Sequence, residues 1–290
     1  MIIVQLNGGL GNQMFQYAAG RSLALKHNTS LYLDIAKFST RNSSITPRNY
    51  ELEIFSHSAK IHPNQLIKFG KISILFSGIM KYFGGPYFCI EKKSGFNKNF
   101  LNFPSNAYLI GYWQSHKYFD SVANELIRDF EFNKPLNFRS SQILEKIKKD
   151  NSVALHIRRG DYVTNTAANN FHGIIPLSYY HDAIKLISNI NKDLSIYIFS
   201  DDPDWCRKNL KIPKLNTTFI DHNHESDSWQ DLYLMGFCKH HILANSSFSW
   251  WGGWFGDQHW GRNRSVIYPR KWFSKDVDNA DRAPSHWISI

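Results

Sequence analysis

The chain is poor in cysteine and has no uninterrupted apolar run of membrane length, and each shortage excludes something. Cys89, Cys206 and Cys238 are odd in number, far apart and free of C-x-x-C spacing. They therefore build neither a disulfide framework nor a cysteine-ligated zinc site, and they fit a reducing compartment. The most apolar segment, 72–90, is broken by Lys81 and by Gly84-Gly85-Pro86, so it fails as a membrane span. It reads as interior packing, with contact to a bilayer surface as the alternative. No charged n-region with an apolar core and cleavage site opens the chain, and 1–6 reads instead as a first strand. Acidic residues are also in deficit, 24 against 34 Lys and Arg, which leaves a net charge of +10. That balance favours an anionic partner, whether nucleotide, nucleic acid or membrane surface, without choosing among them.

What is abundant is aromatic. Nine Trp and fourteen Tyr in 290 residues exceed what a minimal core needs, and such rings serve equally as core filling or as platforms for sugars and bases. The length predicts one large domain or two of medium size. Residues 2–6 form a short apolar strand that runs into Asn7-Gly8-Gly9-Leu10-Gly11-Asn12-Gln13. Phe15, Ala18, Ala19 and Leu23 then recur at helical spacing through 26. A Gly-rich turn between strand and helix lets backbone approach a ligand under the unpaired N–H groups of the helix start. A second strand is expected at 31–34, a polar loop at 36–50, a helix at 63–82 and no clear order from there to 104. A strand at 108–114 ends in aromatics and an amide, suiting a cleft wall or an ordinary strand end, and a helix follows at 119–130.

From a helix at 140–149 onward the pattern alternates. Strands are expected at 152–155, 194–199, 218–220 and 241–244, with helices at 177–190, after Pro203, at 228–238 and after Asn245. Strand and helix in alternation specify a parallel α/β sheet. The domains are placed at 1–140 and 141–290. Ligands of such sheets bind at the carboxyl ends of strands, and His156, Asp201 and Ser246 all fall there.

The stretch His156-Ile157-Arg158-Arg159-Gly160-Asp161-Tyr162 carries the strongest chemical signal, because guanidinium forks match phosphate oxygens in pairs. Neighbouring side chains on extended backbone point opposite ways. Arg158 is therefore assigned to the ligand and Arg159 to the loop, with Asp161 reaching back to fix a guanidinium. Asn245-Ser246-Ser247, between strand and helix, offers hydroxyls and N–H groups to a second part of the same anion, or a plain helix cap. His222 with His224, and His240 with His241, have metal-like spacing but no further partners, and read as surface or core residues.

Four blocks, Gly8-Gly9-Leu10-Gly11-Asn12-Gln13, the 156–162 stretch, Phe199-Ser200-Asp201-Asp202 and Ser246-Ser247-Phe248-Ser249-Trp250-Trp251-Gly252, come in the order found in the α-1,2-fucosyltransferases of glycosyltransferase family 11, which the chain resembles over nearly its whole length. Its compactness and lack of a leader are similar to the bacterial members that act on surface glycans. The resemblance implies a GT-B-like α/β fold of two facing Rossmann-like domains with a cleft between them. It implies GDP-fucose as donor, a galactose-terminated glycan as acceptor, inversion at the fucose anomeric carbon, and no required metal or other cofactor. Carried over, Arg158 contacts the diphosphate, His156 the guanosine portion and Asp161 the arginine. Ser246 and Ser247 complete the clamp, and Asp231 takes the guanine edge. The Gly-rich turn faces the cleft, with Gly9 and Gly11 on the donor and Asn12 near fucose or the acceptor hydroxyl. The expected location is the cytoplasm, with peripheral association with the inner membrane. Some α-1,6 relatives carry a glutamate ten residues beyond the loop histidine; here Thr166 stands at that position, so Asp161, His172 and His116 remain the candidates for a general base. The rivals are O-fucosyl transfer to a protein or lipid-linked sugar and, from charge alone, a nucleic-acid binder. The latter lacks any binding motif or clustered arginine helix.

Overall fold

A computed structural model describes residues 1–39, 48–63, 85–92, 95–274 and 281–290. They fall into two compact units, Met1–Asn133 with Asp278–Ala283, and Lys134–Val277 with Pro284–Ile290. The division thus lies ahead of residue 140. The reason is the helix Phe138–Lys149, whose Ile143, Leu144 and Ile147 are buried against Tyr197, Phe199 and Ile220 of the second unit. Residues 281–283 were expected in the second domain and belong to the first.

In the first unit β1 (Ile2–Gln5) leads through the Gly-rich turn into α1 (Leu10–Lys26), followed by β2 (Leu31–Asp34), β3 (Lys60–Ile61), β4 (Tyr87–Ile90) and β5 (Ala107–Ile110). The sheet is parallel in the order β3-β2-β1-β5-β4. Helix α1 lies close on it because Gly20 has no side chain: a Cβ there would stand 2.2 Å from Val4 Cγ2. The expected helix at 63–82 lies outside the described residues, apart from its first position. Three expectations are corrected. Order was not foreseen between 83 and 104, yet β4 forms there, a short edge strand after Gly-Gly-Pro that carries too few residues for a periodic signal. The strand expected at 108–114 ends at Ile110, where Gly111 (φ +157°) and Trp113 (φ +53°) turn the chain. Trp113 is completely buried and so is core. The helix expected at 119–130 opens as a 3-10 turn at Asp120–Val122 before α2 (Ala123–Asp129).

The second unit begins with α3 (Phe138–Lys149), capped by the Asn137 side chain accepting from Ser140 N at 2.8 Å, as short polar residues do. Then come β6 (Asn151–Ile157), α4 (Gly160–Thr164), α5 (Thr166–His172), α6 (Leu177–Ile190), β7 (Leu194–Ser200), α7 (Pro203–Asn209), β8 (Asn216–Ile220), α8 (Trp229–Phe237), β9 (His240–Ile242), α9 (Ser247–Trp260), β10 (Val266–Tyr268) and β11 (Ile288–Ser289). The stretch after β6, read as loop as far as 162, opens into two short helices too brief to reveal a period. The parallel order β8-β7-β6-β9-β10-β11 winds outward from β6 in one direction and from β9 in the other. Loops leaving these two strands diverge and open a crevice at their carboxyl ends, the position where open α/β sheets take ligands. Strand β6 is buried from Ser152 to Ile157, which explains its near-continuous apolar sequence.

Candidate functional site

Parallel register determines what meets at this crevice. Ile157 pairs with Ser200, so the residues that follow, Arg158 and Asp201, leave adjacent strands together. Arg158 Nη1 lies 3.0 Å from Asp201 Oδ2, and Arg159 N donates to Asp201 Oδ1 at 2.8 Å. One carboxylate thus fixes both a guanidinium and the backbone of the loop. Arg159 turns elsewhere: its Nε lies 3.2 Å from Asp202 and its guanidinium stacks 3.7 Å from the centre of the Trp205 ring. Asp202 in turn caps α7, accepting from Trp205 N at 3.2 Å, with Pro203 at the helix start. The two arginines therefore diverge as extended backbone requires. Gly160 permits the arrangement, because a Cβ there would stand 2.4 Å from Asp201 Oδ2.

From β9, the segment 243–246 enters the same crevice. Tyr162 donates to Asn245 O at 3.3 Å and stacks on His172 with centroids 4.7 Å apart. Ser246 spends its hydroxyl as the N-cap of α9, accepting from Phe248 N at 3.3 Å, and Ser247 is the first helical residue. The first turn of α9 contains no acidic side chain, so its N-terminal dipole is uncompensated by acid and suits an anion. His156 lies with its ring 6.1 Å from that of Phe248. It is buried, its Nδ1 has no hydrogen-bond partner among the described residues, and burial, with Arg158 beside it, lowers its pKa to about 3. It is neutral at any physiological pH.

Asp231 lies in the first turn of α8, at the end of the unit where the strands terminate. Burial raises its carboxyl to about 7, against the pull of the Asn223 amide that donates to it at 2.8 Å. Asn223 is held by Asn137 Nδ2 at 3.1 Å and by Ser140 Oγ at 3.2 Å, and Gln230 accepts from Asn137 N at 2.9 Å. Asp161 is in α4, but its side chain lies outside the described residues; the carboxylate observed on Arg158 is that of Asp201. Sequence reading placed Asp201 at the strand end without this role, though the β6–β7 register gives it directly. The Asn137–Asn223–Gln230 support carries no sequence signal.

The first unit has its own strand-end feature. Gly8 has φ +79°, and the turn is pinned by Gln13, whose Nε2 donates to Gly8 O at 2.9 Å and Asn49 O at 2.8 Å. Gly9 is the N-cap of α1, and Gly11 and Asn12 occupy its first turn, which has no acidic residue. Asn12 Oδ1 accepts from Gln114 Nε2 at 2.6 Å. His116 Nδ1 lies 2.6 Å from Asp120 Oδ2. His240 and His241 are structural. His240 bonds Ser265 N and Asn151 Oδ1. His241 is clamped between Arg264 at 2.7 Å and Met235 O at 2.9 Å. Among the described residues no group of three or more His, Cys, Asp or Glu stands ready to hold a metal, and no helix is long and apolar enough to cross a membrane.

Two parallel Rossmann-like units, one with a cationic strand-end crevice, define an α/β glycosyltransferase of GT-B type. The chain belongs to glycosyl transferase family 11, whose model matches residues 1–259. It is 34% identical to an α-1,2-colitosyltransferase of Escherichia coli over 100% of this chain and 99% of that protein. It is 32% identical to the O-antigen biosynthesis glycosyltransferase WbnK of Escherichia coli, over 98% and 99%. Galactoside α-(1,2)-fucosyltransferase 1 of Saimiri sciureus matches at 23% over 50% of the chain and 42% of that protein. Among solved structures, the fold is similar to fucosyltransferase NodZ from Bradyrhizobium (TM-score 0.51, 10% identity, 87% of this chain and 92% of that one). It is also similar to an Arabidopsis thaliana FUT1 mutant in complex with GDP (TM-score 0.52, 11% identity, 98% and 74%).

Proposed function

We propose that this glycosyltransferase moves L-fucose from GDP-fucose, with inversion, to the 2-hydroxyl of a terminal β-galactoside on an oligosaccharide or surface glycan. The observation that carries the reading is the Arg158–Asp201 pair at the β6/β9 crevice, beside the acid-free start of α9. Breaking the fucosyl–phosphate bond leaves negative charge on the β-phosphate and positive charge on the sugar. Donors aimed at that phosphate therefore stabilise the transition state more than the ground state. Arg158 supplies the fork, and Ser246 and Ser247 bring the acid-free helix start, with its N-terminal dipole, to the phosphate. His156, held neutral, contacts the nucleoside, and Asp231 takes the guanine edge. Gly9, Gly11 and Asn12 serve the sugar side. Leaving-group charge is met by these residues with no metal required. Asp161 supports the loop. The proton leaving the acceptor hydroxyl goes to a base; of the three candidates, His116 has its ring oriented by a carboxylate. We place the reaction in the cytoplasm, at the inner face of the membrane that carries the growing glycan.

The test is GDP-fucose transfer to a panel of terminal β-galactosides, peptides and lipid-linked sugars, with linkage analysis of the product. Transfer to peptide alone would give the acceptor to the rival O-fucosyl reading. Retention on DNA at high salt, without thermal stabilisation by GDP, would remove the enzyme reading altogether. A second donor is favoured by the 34% relative named for colitosyl transfer. Colitose is fucose without its 3-hydroxyl, so the ratio of kcat/KM for GDP-fucose and GDP-colitose decides between them. A site built to hydrogen-bond that hydroxyl rejects the deoxy sugar strongly.

A further inference from the structure

In the first unit the strand order reverses between β1 and β5, so the Gly-rich turn after β1 and the bend after β5 diverge at one crevice. Asn12 comes from the first and Gln114 from the second. A third residue, Arg282, comes from far along the chain: Ser115 Oγ donates to Asp281 O at 2.7 Å, and Lys117 pairs with the Asp281 carboxylate. This docking seats Arg282, whose Nη1 donates to Gln114 Oε1. The half-buried Glu91 carboxylate, held by Tyr112 N at 2.6 Å and Trp113 N at 3.1 Å, is close enough to feel the charge of Arg282.

We infer that Arg282 and Gln114 are positioning residues that lock Asn12 as a hydrogen-bond donor to a sugar or acceptor oxygen. The inference rests on the proposed role of Asn12 at the sugar side. The logic is the polarity of the chain of bonds. A guanidinium only donates, so Gln114 must turn Oε1 to Arg282 and Nε2 to Asn12. Asn12 must then offer Oδ1 to Gln114 at 2.6 Å. Its Nδ2 is left on the other side, over Gly8, where a Cβ on the glycine would stand 2.5 Å from it. Two amides whose orientation is otherwise ambiguous are set in series by one arginine.

Two measurements test this. Asn12→Asp keeps an acceptor toward Gln114 Nε2, so the melting temperature should hold or rise while turnover falls about 100-fold, since the outward donor becomes an acceptor. A clear drop in melting temperature would mean that Asn12 faces Gln114 with its NH2 and would overturn the orientation; this readout needs no substrate. The second is a kinetic cycle. Gln114→Glu should lower kcat by about 100-fold with GDP affinity unchanged, Arg282→Lys should retain more activity than Arg282→Ala, and Gln114→Glu should cost nothing further in an Asn12→Ala background. A full additional loss there would overturn the relay. Asn12→Ala at parental turnover would sink the relay but leave GDP-fucose transfer standing, whereas a parent inactive on GDP-fucose would sink the donor reading and leave the melting test in force.

Discussion

Arg158 is partly exposed and paired with Asp201 at 3.0 Å, so its replacement should change chemistry far more than folding. Arg158→Ala and Arg158→Lys should each lose about 10²- to 10³-fold in kcat with melting temperatures near the parent's, because an ammonium cannot reproduce the fork. Near-normal turnover in either variant ends the diphosphate role. Asp231 gives a pH signature. Its carboxyl, ordinarily near 3.8, is raised to about 7, so below that pH the folded protein holds a proton there. Accepting the guanine N–H groups requires the ionised form, and binding must release the proton. GDP affinity measured by calorimetry should therefore climb with pH up to about 7 and then level. Asp231→Asn should show only the shallower slope contributed by the nucleotide's own terminal phosphate. Identical slopes in the two proteins would take guanine recognition away from this residue. The strand-end placement of His156 and Arg158 was legible from residue type and the apolar run before them, whereas Asp231, on a helix, entered only through the family resemblance. Asp201 as the partner of Arg158, Gln114 and Arg282 were not legible, since each depends on a contact made across the sheet or from a distant segment.

Helices and strands with a full period were legible: α6, β6, β7 and α8 stand within a residue or two of expectation, since buried apolar faces write their spacing into the chain, while α1 starts at Leu10, four residues ahead of the expected start at Met14, inside the Gly-rich stretch read as turn. Elements too short to repeat were not. Strands β3 and β4 and helices α4 and α5 are held by neighbours, and no pattern of their own announces them. Gly160, at the start of α4, shows how one such element serves the site. Asp201 sits where a side chain on Gly160 would be, at 2.4 Å. Gly160→Ala should displace the carboxylate from Arg158 and from Arg159 N, lowering kcat about 10- to 100-fold while far-UV circular dichroism stays unchanged. A variant with parental kinetics would show that the Asp201 contact is dispensable to turnover.

At the scale of the whole molecule the two units differ in how they should answer acid. His156 and His240, at about 3 and about 4, and His241, well below its ordinary value, are all in the second unit and all depressed chiefly by burial. Unfolded, each takes a proton near 6.5; folded, they stay neutral. Their contribution is complete above 6.5 and is lost as pH falls from there toward 4, because the unfolded state gains protons that the fold refuses. Each costs up to about 1.4 kcal/mol per pH unit in that window. Asp231 works in the opposite sense, since its raised value makes the fold hold a proton between about 4 and 7 and so favours the fold as pH drops. His222 is also lowered by burial, and one carboxyl against four imidazoles leaves a net loss in acid. The second unit contains every tryptophan except Trp113, so intrinsic fluorescence reports it almost alone. Thermal melts followed by tryptophan emission should therefore fall steeply between pH 6.5 and 4.5, and saturating GDP should raise the transition most at neutral pH, where Asp231 can ionise at least cost. A fluorescence melting temperature flat across that range would mean that the three histidines titrate normally, and their assignment as buried neutral side chains would have to be abandoned.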